Sequence, residues 1–305
     1  MLAYLGWRLV RTAVVLLGVS TVVFFVLRLS GDPVPLLLPP DAPAAEVEAL
    51  RHHLGLDGPL RWQYVRFLGL LGRGDLGMSL HQQQPALDLV LERLPATLKL
   101  AAAAFLVAVM VALPVGVLSA THRDTWIDRF VMPVTLFGQS IPSFWLGIML
   151  ILLVGVDLKL LPTSGSGTPR HLVLPAVTLA MYSMASIARL TRSAMLDVLN
   201  QDFVRTARAK GLTERSVVAR HALKNALIPV LTIAGLQLGV VLAGAVVTET
   251  VFAWPGIGRL AIQAISVRDY PVVQAVVLVT AFGFVVTNLA VDVLYTLLDP
   301  RIRLG

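Results

Sequence analysis

Residues 200–225 read NQDFVRTARAKGLTERSVVARHALKN, a polar, basic island set between apolar runs at 173–195 and 227–251. Gly211 sits in its middle, and a glycine lets the backbone turn where a side chain would clash. The island therefore reads as two short helices meeting at Gly211-Leu212. Phe203, Val204, Ala207, Leu212, Val217, Val218, Ala222 and Leu223 give both helices apolar contact surface. A merely solvated loop would favour turn residues and irregular polarity. Apolar knobs for grip, cations for orientation and a fixed turn are what a docking element requires. The segment is expected to work as a mechanical coupling element.

The composition around that island places the chain in a bilayer. Of its 305 residues 56% are hydrophobic and 14% charged, whereas soluble domains carry roughly 25% charged residues. The net charge of +7 is carried mainly by cations flanking apolar runs. Such cations orient a membrane protein, so no nucleic-acid partner is expected. There are no cysteines, which excludes disulfides, thiolate catalysis and cysteine-ligated metal sites.

Six apolar runs are long enough to span: 9–29, 97–120, 130–156, 173–195, 227–251 and 272–296. The first follows Arg8 and Arg11 as a signal peptide would. It is longer than such a core and lacks a small-x-small cleavage site, so a retained helix is expected. The fourth ends with Arg189 and Arg192, which argues that this end lies at the cytoplasmic surface. Between Arg189 and Lys224 stand eight Lys/Arg against Asp197, Asp202 and Glu214, whereas 31–94 has five Arg against eight Asp/Glu. The positive-inside rule then puts 189–224 inside and 31–94 outside. With six spans both termini fall inside, beside Arg8 and Arg11 at one end and Arg301 and Arg303 at the other. The expected fold class is all-α: a polytopic protein of six transmembrane helices, N-in/C-in, with a small helical extracytoplasmic insertion at 31–94. Within that insertion ALRHHLGLDGP, RWQYVRFLGLL and ALDLVLERL read as helical pieces. The third run holds Pro133 and Pro142 around Gly138, which predicts a kink.

Enzymatic motifs do not survive inspection. Gly72-Arg73-Gly74-Asp75-Leu76-Gly77 matches G-x-G-x-x-G, but a dinucleotide site needs a strand before it and a helix after it. No G-x-x-x-x-G-K-[ST], H-E-x-x-H or G-x-S-x-G occurs. Hence no catalytic residue, cofactor or metal is expected in this chain. Polar residues within the apolar runs are candidates for a pathway or gate: Gln139, Ser140, Gln237, Glu249, Asn288 and Asp292. Glu249 could pair with Arg259 or Arg268. No chain of carboxylates suggests the proton relay of a self-sufficient secondary transporter, and Ser140 has no neighbouring base for an intramembrane hydrolase.

The chain resembles the membrane permease subunits of bacterial ATP-binding-cassette importers for dipeptides, oligopeptides, nickel and glutathione. The resemblance spans nearly its whole length. It is carried by SGDP (30–33), LGLDGPL (54–60), GDLGMS (74–79), LPATL (94–98), LTRSAML (190–196), FVRTARAKGL (203–212), HALKNALIPV (221–230), TETVFAWPGIGR (248–259), RDYPVVQ (268–274), VDVLY (291–295) and DPRIR (299–303).

In that family RTARAKG stands where an E-A-A-x-x-x-G loop docks into a cleft on the cytosolic ATPase. Ala207 and Gly211 match the pattern, whereas Arg205 and Thr206 depart from it. The resemblance thus implies an ATPase-docking set of Arg205, Ala207, Lys210, Gly211, Leu212 and Glu214, in a cytoplasmic coupling loop at 197–226 of a single 1–305 permease domain. It also implies an assembly in the bacterial inner membrane. Its expected partners are a second homologous permease, two cytosolic ATP-binding-cassette subunits that bind ATP and Mg, an extracytoplasmic solute-binding protein and the lipid bilayer. Short peptides or peptide-like solutes are the implied cargo, with a glutathione or nickel/metallophore importer as the alternative.

Overall fold

The computed structural model describes residues 2–298, with the side chains of 2–6, 9, 136 and 291–298 outside the description. Arg301 and Arg303 of the sequence reading lie outside the described residues. Those described are helical with short connections, and the only strand-like pairing among them is an isolated bridge between Met78 and Pro85. Five helices are long and apolar enough to cross a membrane: Val10–Leu29, Ala86–Thr121, Pro169–Leu199, Glu214–Val251 and Tyr270–Ala290. A sixth span exists if the bent pair Trp126–Ser140 and Ser143–Asp157 is counted as one. The kink expected there is a break of 103°. Ile141, which precedes Pro142, is extended at φ −77°, ψ 126°, as a residue before proline is driven to be.

The chain divides into two compact units, residues 1–96 with 255–285 and residues 97–254 with 286–305. The division falls inside α4 (Ala86–Thr121), whose 36 residues run well beyond the expected 97–120 span. ALDLVLERL, expected as a separate helical piece, is the first part of that helix.

The first unit contains α1 (Leu2–Leu29), α2 (Ala44–His53), α3 (Leu60–Leu71), the start of α4, α11 (Ile257–Ser266) and the start of α12 (Tyr270–Leu298). Ala86, Leu89 and Val90 share one face of α4 by their spacing. They are buried in one cluster with Leu260 and Ala264 of α11 and Val272, Val273 and Val276 of α12. The aromatic residues of α3 close on α1: Phe24 lies 5.3 Å from both Tyr64 and Phe67, ring to ring. The Thr21 and Tyr64 hydroxyls are 2.7 Å apart. The connection before α4 is tied to the α11–α12 corner by the buried Asp269 carboxylate, which accepts the Ser79 hydroxyl at 2.5 Å and the Leu80 amide at 3.2 Å. The G-x-G-x-x-G run lies in turns after α3, with no strand before it.

After α1 the chain is held by Asp32. Its carboxylate accepts the Val34 amide at 3.0 Å and Arg51 of α2 at 2.6 Å, and its carbonyl accepts Arg268 at 3.0 Å. Burial pushes the Asp32 pKa up, but the Val34 amide and the Arg51 fork outweigh it and hold the group below its ordinary value. A depressed carboxylate adds stability that is complete above its unfolded pKa, about 4, and is lost as pH falls through the folded value. Asp32→Asn is therefore expected to lower the midpoint of thermal unfolding at pH 7, and the gap between variant and natural chain should narrow below about pH 4. A gap that stays constant from pH 7 to pH 3 would contradict this assignment.

The second unit contains the rest of α4, α5 (Trp126–Ser140), α6 (Ser143–Leu150) with a π-helical continuation Ile151–Asp157, α7 (Val173–Leu199), α8 (Asp202–Ala209), α9 (Glu214–Ser216) and α10 (Leu223–Val251). A π-helical stretch, Val217–Ala222, joins α9 to α10. Helices α7 and α10 form its most extensive pairing. Small residues on α7 (Ala176, Ala180, Ser183, Ala185, Ala188, Thr191, Ala194) are buried, which permits close helix approach. Gly116 of α4 shows how close: a Cβ there would lie 2.6 Å from the Ala188 carbonyl oxygen.

Candidate functional site

Helix α8 leaves α7 after Leu199 and ends in a tight turn. Gly211 has φ +77°, and its amide donates to the Arg208 carbonyl at 2.9 Å. A left-handed residue just past a helix end is the usual role of glycine. Thr213, extended at ψ 145°, then precedes the helical run that continues into α10. Arg208 closes the turn from above: its guanidinium forks onto Glu214, with Nη2 to Oε1 at 2.6 Å and Nε to Oε2 at 3.1 Å. The Glu214 hydrogen bond raises the Arg208 pKa above its ordinary value. Among the docking candidates, sequence reasoning missed this internal cross-brace; the opposite charges six residues apart across a glycine were its available signal.

Burial sorts the candidates into two faces. Val204 (0% exposed) and Ala207 (5%) turn inward with Val217 and Ala222. Ala207, expected at the docking surface, is thus an anchoring residue of α8; its spacing of three from Val204 puts both on the inner face. Arg205, Lys210, Gly211, Leu212 and Glu214 are exposed, together with Phe203. A Cβ on Gly211 would meet nothing within 4 Å, so a side chain there costs backbone strain rather than a clash. Beside the turn lies a cavity of about 590 Å³, walled by Val117, Leu118 and His122 on one side and by Arg208, Glu214 and Val218 on the other.

The pathway candidates do not form one cluster. Ser183 of α7 donates to Gln237 of α10 at 3.4 Å, and Gln139 of α5 donates to Ser186 of α7 at 3.4 Å. Ser186, Arg189, Ser193 and Gln237 line a cavity of about 330 Å³. Ser183 lines another of about 210 Å³ with Ser143, Tyr182 and Gly244. The polar face of α7 is the element that sequence reasoning missed, because isolated serines in an apolar run carry no distinctive spacing. Glu249 stands apart: it is fully buried and accepts the Thr97 hydroxyl at 2.6 Å. Ser140 is exposed at the end of α5, and Asn288 is half-buried on α12. Asp292 belongs to α12, but its side chain lies outside the described residues.

One further pairing was absent from the sequence reading. Arg192, near the end of α7, forks onto Asp128 of α5 at 2.6 and 2.7 Å. Asp128 also accepts the Ser119 hydroxyl of α4 and the Asp124 amide. The 64 residues between the partners hide the pairing from any local reading. Removing one member strands the other; breaking a fully buried pair costs roughly 3–5 kcal/mol. A quarter of the Arg192 side chain reaches solvent, so Arg192→Met should cost about 2–3 kcal/mol of stability. Arg192→Met with Asp128→Leu should recover most of it, read as unfolding midpoints in detergent. Additive losses in the double variant would refute a direct coupling.

Comparison with known proteins accounts for nearly the whole chain. Residues 112–304 match the family described as binding-protein-dependent transport system inner membrane component, and residues 1–101 match its N-terminal companion. The glutathione transport system permease protein GsiC of Escherichia coli O6:H1 is 43% identical over 304 residues, covering 99% of both chains. The di/tripeptide transport system permease protein DppB of Pseudomonas aeruginosa is 45% identical, also over 99% of both. Among solved structures, the inward-facing MetNI methionine ABC transporter aligns with TM-score 0.56 at 22% identity, covering 69% of this chain and 96% of that one; at that identity the likeness establishes the fold. The chain belongs to the inner-membrane component family of binding-protein-dependent transport systems. It is a multi-pass permease subunit of a bacterial ABC importer, and membership implies ATPase and substrate-binding partners.

Proposed function

We propose that this permease subunit forms half of a translocation pathway for short peptides or peptide-like solutes such as glutathione, and that α8 with its Gly211 turn is where a cytosolic ATPase grips it. The other half of the pathway is a second homologous permease; two ATPases and an extracytoplasmic binding protein complete the assembly. The observation that carries the coupling assignment is the braced turn: Phe203, Arg205, Lys210 and Leu212 are exposed on an element stiffened by the Arg208–Glu214 fork. It is strung between α7 and α10, so a push on it bears on both helices. ATP-driven closure of the ATPases would then switch the pathway between its inward- and outward-facing states. Peptide-like cargo is supported by the glutathione and di/tripeptide permeases that match end to end, and by the hydroxyls and amides of Ser183, Ser186, Gln139 and Gln237, which suit a polar, uncharged backbone.

Pull-down with the ATPases encoded beside this chain tests the coupling assignment. The natural chain should co-purify with them, whereas Leu212→Glu and Gly211→Asp should insert at normal levels yet lose both the ATPases and uptake. Full association and uptake in both variants would remove α8 from the coupling role.

The proposed orientation has both termini inside and 31–94 outside. Gln83→Cys, on an exposed turn, should react with an impermeant maleimide in intact spheroplasts. Reaction only after permeabilisation would invert the topology.

A further inference from the structure

The buried residues that seat α10 against its neighbours recur at a steady step. Ala222, Ala226, Val230 and Ala234 follow one another four residues apart, the step that keeps one face of an α-helix in line. Ahead of them the step is five. Val217 and Ala222 are both fully buried, while Ala219 and Arg220 between them are exposed. On an α-helix, residues five apart point about 140° away from each other, so a regular helix would bury only one of the two. The π-helical turn Val217–Ala222 resolves the conflict. Its wider bonding, in which the Leu223 amide donates to the Val218 carbonyl five residues back, returns the fifth residue to the face of the first. The turn thereby holds one residue more than an α-helix needs.

Its position gives that extra residue a consequence. The turn packs against α7, α8 and α10. On its N-terminal side the Arg208–Glu214 fork holds α8 and α9 together as one braced body. On its C-terminal side the bond ladder of α10 is thinned again: Pro229 has no amide to offer the Asn225 carbonyl. The Asn225 side chain meanwhile donates to the His221 carbonyl at 2.7 Å. The compliant stretch thus lies between a stiff docking body and a long membrane helix. A π turn is rare in its own right and persists where packing favours it. Here that packing is the burial of Val217 beside Val204 and Ala207 of α8. Moving α8 removes the reason for the turn. Relaxation to α-helix then rotates the braced body about the axis of α10 by at most about 100°, the share of one residue.

We infer that the turn at Val217–Ala222 is a one-residue joint, which passes between π- and α-helical form as the transporter switches and lets the α8–α9 body turn against α10. The inference rests on the coupling role proposed for α8. Packed elements of this kind settle in discrete arrangements rather than deforming smoothly, so one residue of register separates two states.

The test uses the full chain assembled with the ATPases encoded beside it. Deleting the exposed Ala219 leaves Val217 and Ala222 four apart, so an unbroken α-helix keeps the whole buried row. That variant should keep its unfolding midpoint and its ATPases on pull-down, yet lose uptake. Full uptake overturns the joint. The chain has no cysteine, so spin labels on Arg215→Cys and Lys224→Cys, both exposed, report on the turn between them. Their separation should change by several ångströms between the nucleotide-free and the vanadate-trapped transporter. An unchanged separation overturns the joint even where the deletion variant fails to insert. Failure of the coupling reading looks different: Leu212→Glu then keeps both the ATPases and uptake, and the joint falls with it. Where Leu212→Glu does lose them, the label separation and the deletion judge the joint alone.

Discussion

Helices α7 and α10 pack along much of their lengths through small side chains, and the second unit is organised around that pairing. Ala180, Ser183 and Ala188 on α7 and Ala234, Gly239 and Ala245 on α10 are buried. Close approach of this kind rests on dispersion between well-fitted surfaces, because lipid offers apolar groups no reason to prefer protein. It tolerates small rigid shifts but not added volume. The candidate pathway residues Ser183 and Gln237 face each other across this pair, and α8 hangs between its two helices. A displacement at α8 therefore bears directly on the packing that holds the polar groups.

The buried acidic residues obey a second constraint. A buried polar group costs free energy unless it is hydrogen-bonded. Two buried carboxyl groups are met in different ways. Asp128 is saturated by Arg192, Ser119 and the Asp124 amide, which bind α4, α5 and α7 together near one end of the unit. Glu249 is fully buried and takes the Thr97 hydroxyl, tying α10 to α4. These are fastenings between helices rather than steps of a charge relay. The weaker contacts, near 3.4 Å, lie along the polar face of α7.

How much was legible in the sequence follows from the range of each interaction. The Gly211 turn was legible because it depends on adjacent residues: a left-handed glycine between two helix-forming stretches. The inward direction of Ala207 was not, since one step on a short helix decides between anchor and surface. Pro133 and Pro142 announced a kink in the third run, but not its size of 103°. Asp128 and Arg192 are 64 residues apart, and their pairing appears only once α5 and α7 lie side by side. The start of α4 failed for a different reason. ALDLVLERL read as a helical piece of the insertion because Asp88, Glu92 and Arg93 stand outside the apolar run, yet it is continuous with that run in one helix whose Ala86, Leu89 and Val90 are buried.

The strength of the contacts along α7 bears on cargo as well as on architecture. A conduit that binds its solute tightly cannot release it, so groups along the path should be individually weak and sequence-tolerant. Hydroxyls and amides at 3.4 Å from their present partners meet that condition, since each bond is cheap to exchange for one to a passing polar backbone. A forked ion pair such as Asp128–Arg192 does not, because opening it exposes two charges at once. The two kinds of interaction are segregated in the structure, with strong pairs between α4, α5 and α7 and weak ones along the cavities. If α8 couples as proposed, the fastenings would resist a push delivered through it, while the weakly bonded face of α7 would be left free to rearrange.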